Sequence, residues 1–172
     1  TISSGDTTGT VTTDGTTVTY TPSGDFNGTT VIGYTITDDG TTNRSNDFLT
    51  DTGTLTVTVS EVNDAPVAVD DTGTMTEDDS ATSFTVLSND TDTEGDTLTV
   101  VSDPTISSGD TTGTVATDGT TVTYTPSGDF NGTTVIGYTI TDDGTTNGSN
   151  DFLIDTGTLT ITVSEVNDAP IA

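Results

Sequence analysis

Where apolar residues gather in this chain, they recur at every second position. Leu55, Val57 and Val59 alternate with Thr, as do Leu159, Ile161 and Val163; Ile136, Tyr138 and Ile140 keep the same parity within Val135–Thr141. Period two places such side chains on one face of an extended backbone, so each run reads as a half-buried strand. No stretch carries helical spacing. Thr, the commonest residue, favours strands. The chain is therefore constrained to be all-β.

The second constraint is a repeat. Residues 1–68 align without a gap on residues 105–172 and differ at only five positions: Thr12/Ala116, Arg44/Gly148, Thr50/Ile154, Val57/Ile161 and Val67/Ile171. Near-identity at a fixed period of 104 residues marks tandem duplication, and many more copies are expected in a longer array. Each copy ends its last strand in the same six residues, Glu61–Pro66 and Glu165–Pro170. The Pro stops the strand and keeps the preceding residue extended. A new apolar start follows (Val67, Ile171), so 61–66 and 165–170 read as short, stiff linkers between domains. Residues 67–170 then form one complete repeat. Residues 1–66 are the back part of a preceding one, whose first strands are missing or supplied by another chain.

Within the complete repeat, strands are expected at Val67–Asp70 with Thr74–Thr76, at Phe84–Val86, Thr97–Val101, Gly113–Thr117, Thr121–Thr125, Val135–Thr141 and Thr156–Val163. Asp103-Pro104 reads as a break, and Asp118-Gly119 as a hairpin turn that needs positive φ. About seven short strands in about 100 residues predict an Ig-like antiparallel β-sandwich. The core is thin; Phe84, Val86, Leu98, Val100, Val115, Val122, Tyr124, Phe130, Ile136, Tyr138, Ile140, Phe152, Leu159, Ile161 and Val163 are its expected members.

Composition bears on partners. Only 27% of residues are hydrophobic and the net charge is −27, from 28 acids against Arg44 alone, a balance usually found in disordered chains. The alternation and the Thr content outweigh it here. Phosphate recognition needs Lys and Arg, so nucleic acid and anionic membrane surfaces are poor partners. No apolar run approaches the length of a membrane span. Without His, Cys or Lys, no Ser-rich turn has a base beside it, and an enzyme is the poorest reading.

The acids cluster in loops. In Asn89-Asp90-Thr-Asp92-Thr-Glu94-Gly-Asp96, carboxylates stand at every second position, and a Gly permits the sharp turn a cation-wrapping loop needs. Asp70-Asp71, Glu77-Asp78-Asp79 and the pairs beginning at Asp38 and Asp142 are weaker singly, but several follow strand ends expected at one pole of the sandwich. Gathered carboxylates repel one another unless a cation sits among them. An oxygen-only ligand set favours Ca²⁺ or Mg²⁺ over Zn²⁺ or copper, and flexible carboxylate-rich loops favour Ca²⁺. Without the ion, the protein is expected to be loose or unfolded.

The order of these motifs resembles a known family. Glu61-Val-Asn63-Asp64-Ala-Pro66 looks like the calcium linker of cadherin repeats, Asp90-Thr-Asp92 like their Asp-x-Asp loop, Tyr138–Gly144 like their Asp-bearing strand end, and Met75-Thr-Glu77 like their early Glu. Phe130-Asn-Gly132 together with Asn-Asp-Ala-Pro-Val is similar to the cadherin-like tandem repeats of giant bacterial surface adhesins and secreted repeat proteins. The resemblance implies that Glu61, Asn63 and Asp64 supply linker ligands, with Asp90, Asp92 and Asp142 from the domain that follows. Glu77 would serve the next linker with Glu165, Asn167 and Asp168. Two departures stand out: the family's mid-domain Asp-Arg-Glu is replaced by Asp129-Phe-Asn131, and the last linker Asn is Ala65, which implies fewer ions per joint. The first copy also lacks a counterpart of Glu77.

Three functions follow as expectations. The first is a calcium-rigidified extracellular extender in the stalk of a large bacterial adhesin, secreted or at the cell surface, with neighbouring repeats as partners. The alternative is the unit of a self-assembling extracellular filament or biofilm matrix fibre, joined to other copies by strand exchange or addition. A direct glycan or protein binder has little aromatic platform beyond Tyr20 and Tyr124.

Overall fold

A computed structural model describes residues 1–170, so the apolar start expected at Ile171 lies outside the described residues. These residues are all strand, turn and loop, and no helix among them is long and apolar enough to cross a membrane. The chain divides into two compact units, Thr1–Val62 with Thr146–Gly148, and Asn63–Thr145 with the residues from Ser149 onward. The division falls inside the 61–66 linker, and Asn63 and Asp64 belong to the second unit.

The first unit contains β1 (Ile2–Ser4), β2 (Thr10–Thr13), β3 (Val18–Thr21), β4 (Gly28–Thr37), the two-residue arms β5 (Thr41–Thr42) and β6 (Ser45–Asn46), and β7 (Thr50–Val59). One sheet has the order β1-β4-β7, and β2 pairs with β3 separately. The second unit adds β8 (Asp71–Thr76), β9 (Thr82–Thr85), β10 (Thr99–Ser108), β11 (Thr114–Thr117), β12 (Thr121–Thr125), β13 (Gly132–Thr141), β14 (Thr145–Thr146), β15 (Ser149–Asn150) and β16 (Ile154–Ser164). Its two main sheets are β10-β13-β16-β8 and β11-β12-β9.

Between those sheets lies the core. The inward parity of β13 buries Ile136, Tyr138 and Ile140, and that of β16 buries Leu159, Ile161 and Val163. Val122 and Tyr124 face them from β12, and Met75, Val86 and Val100 complete the cluster. Phe84, Leu98, Val115 and Phe130 are partly buried against it. Phe152 is exposed, contrary to the core expected from sequence: it lies between β15 and β16, outside any period-two run.

Two elements, β8 and β10, depart from the sequence reading. The first strand is β8 alone; Val67 makes only an isolated bridge to Thr91. β8 pairs with β16 in parallel, from Leu159↔Asp71 to Ser164↔Thr76, within an otherwise antiparallel fold. The strand expected at Thr97–Val101 is β10, Thr99–Ser108, which runs on through Asp103-Pro104 with a register shift between Val101 and Thr105. Proline is tolerated because β10 is an edge strand at an irregularity, where its missing N–H leaves no ladder bond unmade. The Asp118-Gly119 hairpin forms as expected; Gly119 carries the positive φ and Asp118 Oδ1 accepts the Thr120 and Thr121 N–H groups.

One acid with no role assigned from sequence holds the two sheets together. Asp110 is buried. Its Oδ1 accepts from Gly113 N (2.9 Å), Ser127 Oγ (2.8 Å) and Thr112 N and Oγ1 (both 3.2 Å). Its Oδ2 accepts from Tyr124 OH (2.8 Å) and Ser127 N (2.7 Å). Burial raises its carboxyl, but these donors outweigh burial and hold it well below the usual carboxylate range. Gly113 must be Gly, because a Cβ there would strike the Asp110 carboxylate and the Tyr124 ring. Asp6 repeats this arrangement in the first unit with Gly9, Tyr20 and Ser23.

Replacing Asp110 strands several buried donors, each worth about 1–3 kcal/mol when unsatisfied. Asp110→Ala is expected to destabilise the second unit by about 3–5 kcal/mol, read as a lower urea midpoint at unchanged slope. The sign with pH follows from a folded pKa below the unfolded value of about 3.9. The stability Asp110 confers is full above that value and is lost as pH falls through its lower folded pKa. Asp110→Asn should therefore show a shallower acid-side loss of stability than the parent.

Candidate metal centre

Acidic side chains gather at the pole of the second unit where its first residues enter. The loop after Val86 closes on Asp92, whose Oδ1 accepts the N–H groups of Glu94 (3.0 Å), Gly95 (3.0 Å) and Asp96 (3.1 Å). Gly95 takes the left-handed φ of +79° that this tight wrap requires. The fold brings carboxylate oxygens of Asp92, Glu94 and Asp96 within 4.8 Å of one another. Asp92 Oδ2 and Asp96 Oδ2 are buried and accept no hydrogen bond. Burial raises the Asp96 carboxyl, and the charges of Asp92, Asp143, Asp142 and Glu94 raise it further.

Asp142 is the anchor beneath this loop. It is 2% exposed; Oδ1 accepts from Leu153 N (2.9 Å) and Gly144 N (3.3 Å), and Oδ2 from Asn63 Nδ2 (3.0 Å). Asn63 Nδ2 also reaches Asp151 O (2.7 Å), and Asp64 N donates to Glu94 Oε2 (3.1 Å). A Cβ on Gly144 would overlap both the Asn63 side-chain carbonyl and Asp96 Oδ2, so these two oxygens converge over a bare backbone. Asp38 keeps the same local bonds in the first unit, to Gly40 N and Leu49 N, but it is exposed. Glu61 belongs to the first unit, where its carbonyl accepts Asn147 N (3.0 Å).

Asp90 leads a neighbouring group. Its Oδ1 accepts Val69 N (2.8 Å), while Oδ2 is buried without a hydrogen-bond partner. Burial raises the Asp90 carboxyl, helped by Asp71 and Asp155. Asp71 Oδ2 accepts Tyr138 OH (2.9 Å) and is also raised, chiefly by burial. Asp70 instead accepts Thr158 N and Oγ1 (both 2.8 Å). Asp155, whose Oδ2 accepts Ala68 N (2.9 Å), was not among the residues chosen from sequence. Its signal is an acid inside a Thr-rich strand, where Asp is disfavoured.

The opposite pole gathers the rest. Glu77 is buried; its Oε1 accepts Val166 N (2.7 Å) and its Oε2 Asn131 Nδ2 (3.0 Å). Asp78, Asp129 and Asp168 bring carboxylate oxygens within 4.8 Å, all exposed, and the Asp129 and Asp78 charges raise Asp168. Glu165 is exposed, and Asn167 Nδ2 donates to Asp168 O (3.2 Å).

No curated protein matches the chain. Two solved structures with some likeness to it are a nucleoside hydrolase-related hypothetical protein from Saccharophagus degradans associated with carbohydrate metabolism and an endo-fucoidan hydrolase of glycoside hydrolase family 107. For the first, identity is 18% over 60% of this chain and 26% of that one, with a TM-score of 0.42. For the second, identity is 18% over 97% and 23%, with a TM-score of 0.38. The chain thus spans about a quarter of the length of either. A model of the bacterial Ig domain family matches residues 63–163, the span that holds both main sheets of the second unit and its acidic entry pole. Domains of that family are typically extracellular or surface-exposed. The chain belongs to the bacterial Ig domain family.

Proposed function

We propose that this extracellular Ig-type repeat is a calcium-rigidified extender in the stalk of a large bacterial adhesin, with a structural rather than catalytic role. One observation carries the reading: Asp90, Asp92 and Asp96 each bury a carboxylate oxygen that accepts no hydrogen bond. The chain has one basic side chain, Arg44, and no His or Lys with which to neutralise them. A buried acceptor left unsatisfied costs about 1–3 kcal/mol, more when charged, and a divalent cation removes that cost at several oxygens together. The donor set is oxygen only, which suits Ca²⁺. Asp92, Glu94 and Asp96 would hold the ion, with Asp142 and Asn63 beside them. Calcium supplies positive charge there and ties the segment entering the domain to its acidic pole. Cadherin-like repeats use calcium at this place in the chain, and the resemblance of residues 61–66, 90–92 and 138–144 supports the same use here.

Ligand present at 100 times its dissociation constant stabilises the folded state by about 2.7 kcal/mol. For a domain of this size that corresponds to a rise in Tm of roughly 10–20 °C. Melts of the 172-residue chain in millimolar calcium and in EGTA should differ by this order, with light scattering monomeric in both. Asp96→Asn should abolish most of the difference. Equal melts for the parent protein would overturn the calcium reading.

A paired substitution checks the geometry without touching a carboxylate. Gly144→Ala should weaken calcium binding at least tenfold by isothermal titration, because its Cβ displaces Asn63 and Asp96. Gly40→Ala, the same position in the first unit, has the Asp38 carboxylate as its nearest neighbour at 3.3 Å and should leave binding unchanged.

A further inference from the structure

Of the five positions at which the copies differ, Arg44/Gly148 alone follows an asparagine. The turn is the same in both copies: φ is +54° and +69° at Asn43 and Arg44, and +52° and +74° at Asn147 and Gly148. A Cβ built on Gly148 meets nothing within 4 Å, so the turn has room for either residue. What the exchange alters is the chemistry of one peptide bond. A glycine nitrogen has no Cβ to shield it and approaches the preceding Asn side-chain carbonyl with least hindrance. The chain has three Asn-Gly bonds, and the fold places them differently. Gly28 and Gly132 open the ten-residue strands β4 and β13, opposite Val59 and Val163 in long antiparallel ladders. The Asn131 side-chain amide is also tied to Glu77 Oε2 (3.0 Å). Asn147 and Gly148 are instead exposed, in the turn between the two-residue arms β14 and β15, which pair only with each other. A hairpin that short is marginal by itself and opens far more readily than a central ladder.

We propose that Asn147-Gly148 is a self-modification site, at which the chain turns an amide into a carboxylate with water as the only co-reactant. The Gly148 nitrogen gives its proton to solvent and attacks Asn147 Cγ. The new C–N bond closes a cyclic imide, and Nδ2 leaves as ammonia. Water then opens the imide at either carbonyl. Opening at Cγ leaves aspartate. Opening at the main-chain carbonyl leaves isoaspartate, with the backbone rerouted through Cβ and lengthened by a methylene. Asn147 N donates to Glu61 O (3.0 Å), a bond within the first unit. Rerouting the chain at residue 147 therefore disturbs the hold of this hairpin on the first residue of the 61–66 linker. This inference does not rest on the calcium reading.

The test keeps the 172-residue chain in warm neutral buffer and follows its peptides by mass spectrometry, with isoaspartate told from aspartate by electron-transfer fragmentation. Asn147 is expected to convert at least roughly tenfold faster than Asn131 and Asn43 in the same sample. Isoaspartate should be the main product, and the rate should rise with pH, because the Gly148 amide must lose its proton. In urea, Asn131 should accelerate to the rate of Asn147, whereas Asn43 stays slow behind Arg44. Gly148→Arg installs the residue of the first copy and should slow Asn147 to the Asn43 rate, with circular dichroism unchanged. The comparison within the parent chain stands whether or not that variant folds. If Asn147 keeps its amide in the folded chain and loses it in urea, the turn protects it and the inference is overturned. Equal rates at Asn147 and Asn131 in the folded chain overturn it too, because placement in the fold would then be immaterial.

Discussion

The structure depends on where its carboxylates find positive partners. With 28 acids and one basic side chain, ion pairing cannot do this work. Backbone N–H and Thr, Ser or Tyr hydroxyl groups do most of it. Asp110 and Asp118 each sit in a ring of such donors and are held well below the usual carboxylate range. Asp90 and Asp96 have too few donors for both oxygens, and their pKa values move the other way. That opposition separates two kinds of acid in one chain. Those filled by donors fasten the fold, and those left with bare buried oxygens are the ones the proposed calcium ion would meet.

The near-identical copies isolate the effect of context. Asp38 and Asp142 make equivalent bonds to Gly40 or Gly144 and to Leu49 or Leu153. Only Asp142 is buried, because loop 89–96 and Asn63 cover it. Local sequence thus shapes the strand end, while the electrostatic character of the site arises from a distant segment folding over it.

Much of the fold was legible in period two. The central strands β4, β7, β13 and β16 follow directly from alternation, and the β11–β12 hairpin from Asp118-Gly119. Alternation is blind to direction, however, so the parallel seating of β8 on β16 had no sequence signal. Proline marks a break only where its N–H would have been used, and at an edge it was not, so β10 ran past Pro104. In the acidic pole, the alternation of Asp90, Asp92, Glu94 and Asp96 was visible. The grouping of Asp155 with Asp90 was not, because in a Thr-rich strand it counted as one more polar position. Asp110 was hidden for another reason: an acid among Ser, Gly and Thr reads as loop filler until its donors are seen to converge.

The parallel pairing of β8 and β16 has a mechanical meaning. The chain enters β8 at Asp71, beside Leu159, and leaves β16 at Ser164, beside Thr76, so entry and exit lie at opposite ends of the same ladder. Tension applied through the two ends pulls the strands lengthwise past each other. The ladder bonds then share the load and must yield together, instead of opening one after another as in a hairpin pulled from its open end. A domain wired in this way loads its β8–β16 ladder in shear when it is pulled through its own two ends.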